Sequence, residues 1–258
     1  MTGSAPLAFD RGGEGPPVVM LHGLGGTSNS FQALMGALSG FTILRPDLPG
    51  AGRSPLLEGA LTLDRLLDAV TGFLDAQGLA RVALAGHSLG TLVAQHLAAR
   101  SPERVSALVL FGALTEPPGP AREGLQARAA AARAGGMTAI AEDIVARTLA
   151  AETLRDKPVV AAFVRESLMR QPPEGYARMC EALASMPRAD AARIAAPVLL
   201  VTGESDPVSP PAMARELADL MPHARAEILP SCGHWTPVEK PATCGRLAAE
   251  FLTRHAAR

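Results

Sequence analysis

The sequence predicts an α/β fold: a mostly parallel central sheet flanked by helices, with a helical cap inserted before the sheet is complete. Three observations lead there. Short apolar runs bounded by turn residues alternate with longer segments of helical periodicity through the first half of the 258-residue chain, and strand, helix, strand in succession makes the strands parallel neighbours. From Gly112 to Ala192 that alternation stops, and proline-rich joints (EPPGP, QPPEG) separate helical segments with no strand pattern. Beyond them the alternation resumes. The predicted organisation is one α/β core, residues 1–112 and 193–258, with residues 113–192 as the helical cap or lid. A chain of this length buries a full core as one unit.

In chain order, Val18 to Leu21 is an apolar run ending at His22-Gly23, the pattern of a strand buried on both faces. Ser28 to Leu38 reads as a helix and Phe41 to Leu44 as the next strand. Leu63 to Gln77 carries apolar residues at helical spacing. Val82 to Ala85 and Leu89 to Arg100 form a strand and helix joined at Ser88, and Val105 to Phe111 is a further strand. Inside the cap, Ala121 to Gly136 is Ala- and Arg-rich and has the composition of a helix rather than of a disordered tract. The core then continues with Val198 to Thr202 (strand), Pro211 to Leu220 (helix), Ala226 to Leu229 (strand) and Ala242 to Arg254 (helix). No internal repeat is present.

Composition narrows the function classes. With 24 basic and 25 acidic residues and a formal charge of -1, the chain offers no basic surface for nucleic acid. The start, MTGSAPLAFDRGGEG, has neither a basic n-region nor an apolar h-region, and no apolar run is long enough to span a bilayer, so a cytoplasmic protein without membrane partners is expected. Three cysteines, Cys180, Cys232 and Cys244, lack CxxC spacing and read as buried or incidental thiols. Nothing in the sequence specifies an oligomeric state.

The chemistry centres on LAGHSLGTLV, Leu84 to Val93. Gly86, His87, Ser88, Leu89 and Gly90 fit G-x-S-x-G, whose glycines permit a strand-to-helix turn sharp enough to lift the serine hydroxyl clear of the sheet. A serine needs a base and a carboxylate to orient that base. In open α/β sheets, sites gather at the carboxyl ends of strands, and that filter selects among the six histidines. His223 precedes its strand, His96 lies along the helix after Ser88, His255 is terminal, His87 is pinned beside the serine, and His22 follows a strand but comes before the serine in the chain. His234, in LPSCGHW after the last strand, is the expected base. Among acids the filter picks Asp206 in GESDP, with Glu204 and Glu116 as rivals. The expected oxyanion donors are the backbone N–H groups of Leu89, at the helix start, and Leu24, in LHGLGG. That glycine-rich loop does not complete G-x-G-x-x-G and no G-K-[ST] follows, which argues against phosphate binding. Cys232 and His234 lack further ligands of metal-site spacing, so no metal is expected.

HGLGG (His22 to Gly26), DLPGAGRS (Asp47 to Ser54), GHSLG (Gly86 to Gly90), the Gly203 to Asp206 stretch and Gly233-His234 follow one another in an order that resembles the α/β-hydrolase superfamily over essentially the whole chain. Two cap segments, RAGGMTAIAEDIVART (Arg133 to Thr148) and QPPEGYARMCEALASM (Gln171 to Met186), resemble the lid of 3-oxoadipate enol-lactonase-like hydrolases. The chain departs from that pattern at ARTLA (Ala146 to Ala150), where an aromatic residue would follow the arginine, and at Thr91, where relatives carry a second glycine. The resemblance implies the α/β-hydrolase fold and cofactor-free hydrolysis of a small-molecule carboxylic ester or lactone through an acyl-enzyme. Perhydrolases and carbon–carbon bond hydrolases share the serine and stay open, as does a ligand-binding protein without catalysis; Ser88 excludes the aspartate-nucleophile dehalogenases and epoxide hydrolases. Because lactone acids of the family carry carboxylates, Arg133 and Arg147 are candidate substrate contacts, against a reading as solvated helix-face charges. Trp235 is expected either to wall the pocket or to pack behind the His234 loop.

Overall fold

The structure is a computed structural model that describes residues 6–256; residues 1–5 and 257–258, which the expected core limits take in, lie outside the described residues. Seven strands form one sheet in the order β1-β3-β2-β4-β5-β6-β7. They are β1 (Phe9–Gly12), β2 (Pro17–Leu21), β3 (Thr42–Pro46), β4 (Val82–His87), β5 (Val105–Phe111), β6 (Val198–Gly203) and β7 (Ala224–Leu229). All pair in parallel except β1, which runs antiparallel to β3 with Phe9 opposite Pro46 and Gly12 opposite Ile43. The α/β-hydrolase fold is thus the observed one.

The edge strand β1 has no counterpart among the predicted elements. Its sequence, FDRG, is half exposed and holds a single apolar residue, so it has no apolar run to announce it. Tertiary pairing makes it a strand. A second difference concerns Ser28–Leu38, which winds as a 3-10 helix. Ser, Asn and Ser at its start bond locally, the Thr27 side chain accepting from Asn29 N and Ser30 reaching back to Thr27 N, and such residues favour tight turns over the α-helix.

The central strands are buried on both faces, and their side chains alternate between two cores. Val19, Leu21, Leu84, Leu108, Leu110 and Leu200 join the core beneath α1 (Leu63–Ala76), α2 (Leu89–Arg100) and α8 (Pro211–Leu220). Val18, Met20, Ala85, Val109, Phe111 and Val201 join the core beneath the 3-10 helix and α10 (Pro241–His255). Between β5 and β6 stand α3 (Gly119–Gly135), α4 (Thr138–Thr148), α5 (Ala151–Asp156), α6 (Pro158–Met169) and α7 (Pro173–Ser185), with α3 packed along α7 and α4 on α6. Prolines at the first turns of α3 and α7 explain the punctuated sequence, since a missing N–H costs nothing there. Their apolar faces continue the α1 and α2 core. No helix of the described residues is long and apolar enough to cross a membrane.

Chain connections leave β2 toward β3 on one side and leave β4 toward β5 on the other. This reversal opens a crevice at the carboxyl ends of β2 and β4, the place where such sheets bind ligands.

Candidate active site

Ser88 occupies that crevice. It follows β4 directly, with φ 51 and ψ -118, and α2 begins at the next residue. A positive φ on a serine is a strained backbone state held by its surroundings. Those surroundings are visible: Ser88 N donates to Phe111 O at 3.0 Å, and its carbonyl accepts from Thr91 N at 2.8 Å and Thr91 Oγ1 at 2.6 Å. The Thr91 hydroxyl also accepts from Leu114 N at 3.0 Å, so the residue that departs from the family glycine ties the elbow to the chain beyond β5. At Gly90 a Cβ would stand 2.1 Å from Leu21 O, which is why no side chain fits on the helix side of the turn.

Asp206 and His234 come from the loops after β6 and β7. His234 Nδ1 donates to Asp206 Oδ2 at 2.8 Å, and Ser88 Oγ donates to His234 Nε2 at 2.9 Å. The carboxylate therefore selects the imidazole tautomer whose Nε2 is free to accept the serine proton. Burial pushes the Asp206 carboxyl up, but the His234 charge and hydrogen bond, with Ser209 N and Val208 N each donating to Oδ1 at 2.8 Å, outweigh it and hold the group below its usual value. The rival acids stand elsewhere: Glu204 is exposed, and Glu116, at the cavity wall, pairs with Arg122 at 3.2 Å.

The loop after β2 runs against the serine. A Cβ on Gly23 would lie 2.9 Å from Ser88 Cβ, so only a bare backbone approaches there. Leu89 opens α2, and its N–H is among the orphan donors of the helix start; Leu24 lines the same cavity as Ser88. Two histidines set aside as the base hold this arrangement. His22 Nδ1 donates to Gly23 O and its Nε2 accepts from Leu48 N, both at 2.8 Å, joining the HGLGG and DLPGAGRS segments. Asp47 adds to that junction by accepting from Ser28 N at 2.6 Å and Arg53 Nε at 2.9 Å. His87 Nε2 donates to His234 O at 2.9 Å, and its ring lies 5.1 Å from the His234 ring and 5.3 Å from Trp235.

His87 is neutral over the physiological range. Burial, and secondarily the neighbouring His234, lowers its pKa to about 3, and burial also lowers His22 and His96. In the unfolded chain these imidazoles protonate near 6.5. The unfolded state therefore binds more protons as pH falls below that value, and stability present above it is lost as pH falls, down to about 3 for His87, by up to about 1.4 kcal/mol per histidine per pH unit. The melting temperature is expected to drop between about pH 7 and about pH 5, and His87→Gln to flatten that slope. A slope unchanged in the variant would remove His87 from the account.

The cavity above Ser88 has a volume of about 470 Å³ and an apolar wall, including Leu24, Leu125, Ile144, Leu183, Met213 and Trp235. Trp235 both walls it and is anchored, donating from Nε1 to Thr148 Oγ1 at 3.1 Å. Arg133 and Arg147 are not brought to it. Arg133 holds Glu174 and Glu181, and Arg147 is 76% exposed and paired with Asp143; carboxylates four residues away or on α7 were the better partners for these long side chains. Arg133→Ala and Arg147→Ala are accordingly expected to leave KM for an acidic ester within about twofold, as exposed pairs contribute little; a larger rise would return them to the site. Arg128, on α3, lines the cavity instead. The sequence analysis missed it, and helical phase is the signal that could have found it: Leu125 and Ala129 on the same turn face the core.

A further residue outside that reading is Glu239, fully buried in the four-residue α9 (Thr236–Glu239). Its Oε2 accepts from Gly233 N and Ala150 N at 3.0 Å and Thr153 Oγ1 at 2.8 Å, and its Oε1 from Trp235 N at 3.0 Å. His234 lies between two of those donors, and His234 N donates to Thr148 O at 2.8 Å. The inserted helices thus grip the loop that carries the imidazole.

Across residues 16–241 the chain matches the alpha/beta hydrolase fold family. It is 29% identical over 241 residues to 3-oxoadipate enol-lactonase 2 of Acinetobacter baylyi, spanning 93% of this chain and 89% of that protein. The fold superposes with a TM-score of 0.92 on a thermophilic esterase from Thermogutta terrifontis, at 29% identity, covering 96% of this chain and 93% of that one. Against the enol-lactonase from Burkholderia xenovorans LB400 the TM-score is 0.90 at 31% identity, with 96% of each chain covered. The match over most of its length makes this chain a member of the alpha/beta hydrolase fold family, similar to esterases and enol-lactonases within it.

Proposed function

We propose that this protein is a serine hydrolase that cleaves a small-molecule carboxylic ester or lactone through an acyl-enzyme. The observation that carries the reading is the hydrogen-bonded line from Asp206 through His234 to Ser88, at 2.8 and 2.9 Å, opening into a cavity of small-molecule size. In the proposed sequence, His234 Nε2 takes the Ser88 proton as Oγ bonds to the substrate carbonyl carbon. The carbonyl oxygen becomes an oxyanion held by the Leu24 and Leu89 N–H groups, each donor contributing roughly 2.7 to 4 kcal/mol to the transition state. His234 then passes the proton to the leaving oxygen and the carbon–oxygen bond breaks. Water, deprotonated by the same imidazole, attacks the acyl carbon; the bond to Ser88 Oγ then breaks, His234 returns the proton to Oγ, and the acid is released.

Helices α3 to α7 act as the cap that closes this cavity, and similarity to esterases and enol-lactonases accords with an ester or lactone substrate. No step calls for a cofactor. The three cysteines are free and buried, which suits a reducing compartment such as the cytoplasm. A fluorophosphonate probe is expected to label Ser88 in the folded protein, and a pH-stat panel of short-acyl esters and lactones to show acid release. An unlabelled folded sample would bring forward a protein that only binds a ligand in the cavity.

A further inference from the structure

Around Leu24 the chain is nearly all glycine, with Gly23 before it and Gly25 and Gly26 after it. Gly26 N donates to Gly23 O at 3.0 Å, so Leu24 and Gly25 form the corner of a four-residue turn. Gly25 has φ 77, the conformation a type II turn requires at its third residue. Such a segment has little conformational preference of its own, because glycine restricts the backbone least. The direction of the Leu24 N–H is therefore set by what touches the turn. Ser88 and His87 stand against Gly23. The cap stands against Gly25.

The end of α6 and the chain just beyond it make that second contact. Ser167 Oγ donates to Gly25 O at 2.8 Å. Gln171 is 4% exposed and shares its amide N–H groups among three carbonyl oxygens: Gly25 O at 3.2 Å, Gly26 O at 3.3 Å and Ser167 O at 2.9 Å. Three acceptors around one atom fix that atom as the NH₂ nitrogen, since the amide oxygen has no proton to give them. Leu168 is fully buried, and a Cβ on Gly25 would run into its Cδ2. The helix thus lies flush on the turn. Ser167 and Gln171 line a different cavity from the one above Ser88, so they reach the reaction only through the backbone they hold.

We propose that Gln171, assisted by Ser167, is a positioning residue that aims the Leu24 N–H at the oxyanion, so that the oxyanion hole is complete only with α6 seated on the turn. This rests on the assignment of Ser88 as nucleophile and of Leu24 as oxyanion donor. An oxyanion donor acts within about 2.7 to 3.1 Å of the developing charge, and a misplacement of about 1 Å can cost about a hundredfold in rate. Freed from two side-chain clamps, a glycine turn has room for such a shift.

The test uses Gln171→Met, which keeps the length and removes the amide, with Ser167→Ala and the hydroxyl-preserving Ser167→Thr. With 4-nitrophenyl pentanoate, kcat is expected to fall about tenfold in Gln171→Met and about threefold in Ser167→Ala. KM should stay within about twofold, and Ser167→Thr near the parent. The deciding readout is the dissociation constant of butyl trifluoromethyl ketone. Its carbonyl carbon bonds to Ser88 Oγ, the serine proton passes to His234 and the carbonyl oxygen becomes the oxyanion. That constant is expected to rise by the factor by which kcat falls, as for a transition-state analogue. If Gln171 only ends α6, Gln171→Met lowers the melting temperature and leaves ketone affinity at the parent value, which overturns the proposal. Should Gln171→Met not fold, parental ketone affinity in Ser167→Ala overturns it equally. Failure of the serine reading looks different: the parent itself would bind the ketone no more tightly than Ser88→Ala does, and the positioning role falls with it.

Discussion

Ser88→Ala is expected to lower kcat for ester or lactone hydrolysis by at least about 10⁴-fold, since removing the serine of a serine, histidine and carboxylate unit leaves only binding and oxyanion contacts. The effect should be almost wholly on kcat. Ser88 Oγ donates to His234 Nε2 alone, so its loss leaves the cavity wall and the other hydrogen bonds in place. The backbone supplies an internal control. At φ 51 and ψ -118 alanine keeps the strain that serine bears, whereas glycine relieves it. Ser88→Gly is therefore expected to be as inactive as Ser88→Ala yet more stable than it by about 1 kcal/mol, measured by denaturant unfolding. Turnover by purified Ser88→Ala above a few per cent of the parent would sink the acyl-enzyme reading.

Glu239→Ala is expected to cost roughly 3 to 5 kcal/mol of stability, since several buried donors lose their acceptor at about 1 to 3 kcal/mol each with partial relaxation. Its carboxylate is the acceptor for three backbone N–H groups and one hydroxyl, and none of those buried donors meets water when it is removed. Glu239→Gln keeps one carbonyl oxygen but turns its NH₂ toward N–H groups, so an intermediate loss follows. Because Gly233 and Trp235 flank His234, kcat should fall about ten- to a hundredfold at temperatures where the variant is folded, with KM less affected. Denaturant unfolding and steady-state rates on the same preparation separate the two effects. A stability loss under about 1 kcal/mol would mean that the loop holds itself.

Much of this was legible from residues alone, for an identifiable reason. Parallel strands buried on both faces are continuous apolar runs, as in β4, β5 and β6, and each helix of the core has its own periodicity, so the fold class followed from local pattern. The site followed from one topological rule. If catalytic groups lie where parallel strands end and the acid and base follow the nucleophile in the chain, then Ser88, Asp206 and His234 are selected from many serines, acids and histidines without a coordinate, and the structure draws these three into hydrogen-bonding line.

What the chain alone left undetermined depends on contacts between distant segments. The strand β1 exists because β3 offers it an edge, and FDRG has no apolar periodicity to betray that. The partners of the cap arginines were undetermined for a similar reason: Arg133 finds Glu181 across 48 positions, and helical phase decides that Arg128, five residues earlier, faces the cavity instead. Glu239 reads as one more acid near a proline until the Gly233, Trp235 and Ala150 amides converge on it. Sequence singled out the three residues of the proposed triad, since strand ends are local. Tertiary structure alone decided which charges line the cavity and what holds the His234 loop, because electrostatic partners are chosen by proximity in space.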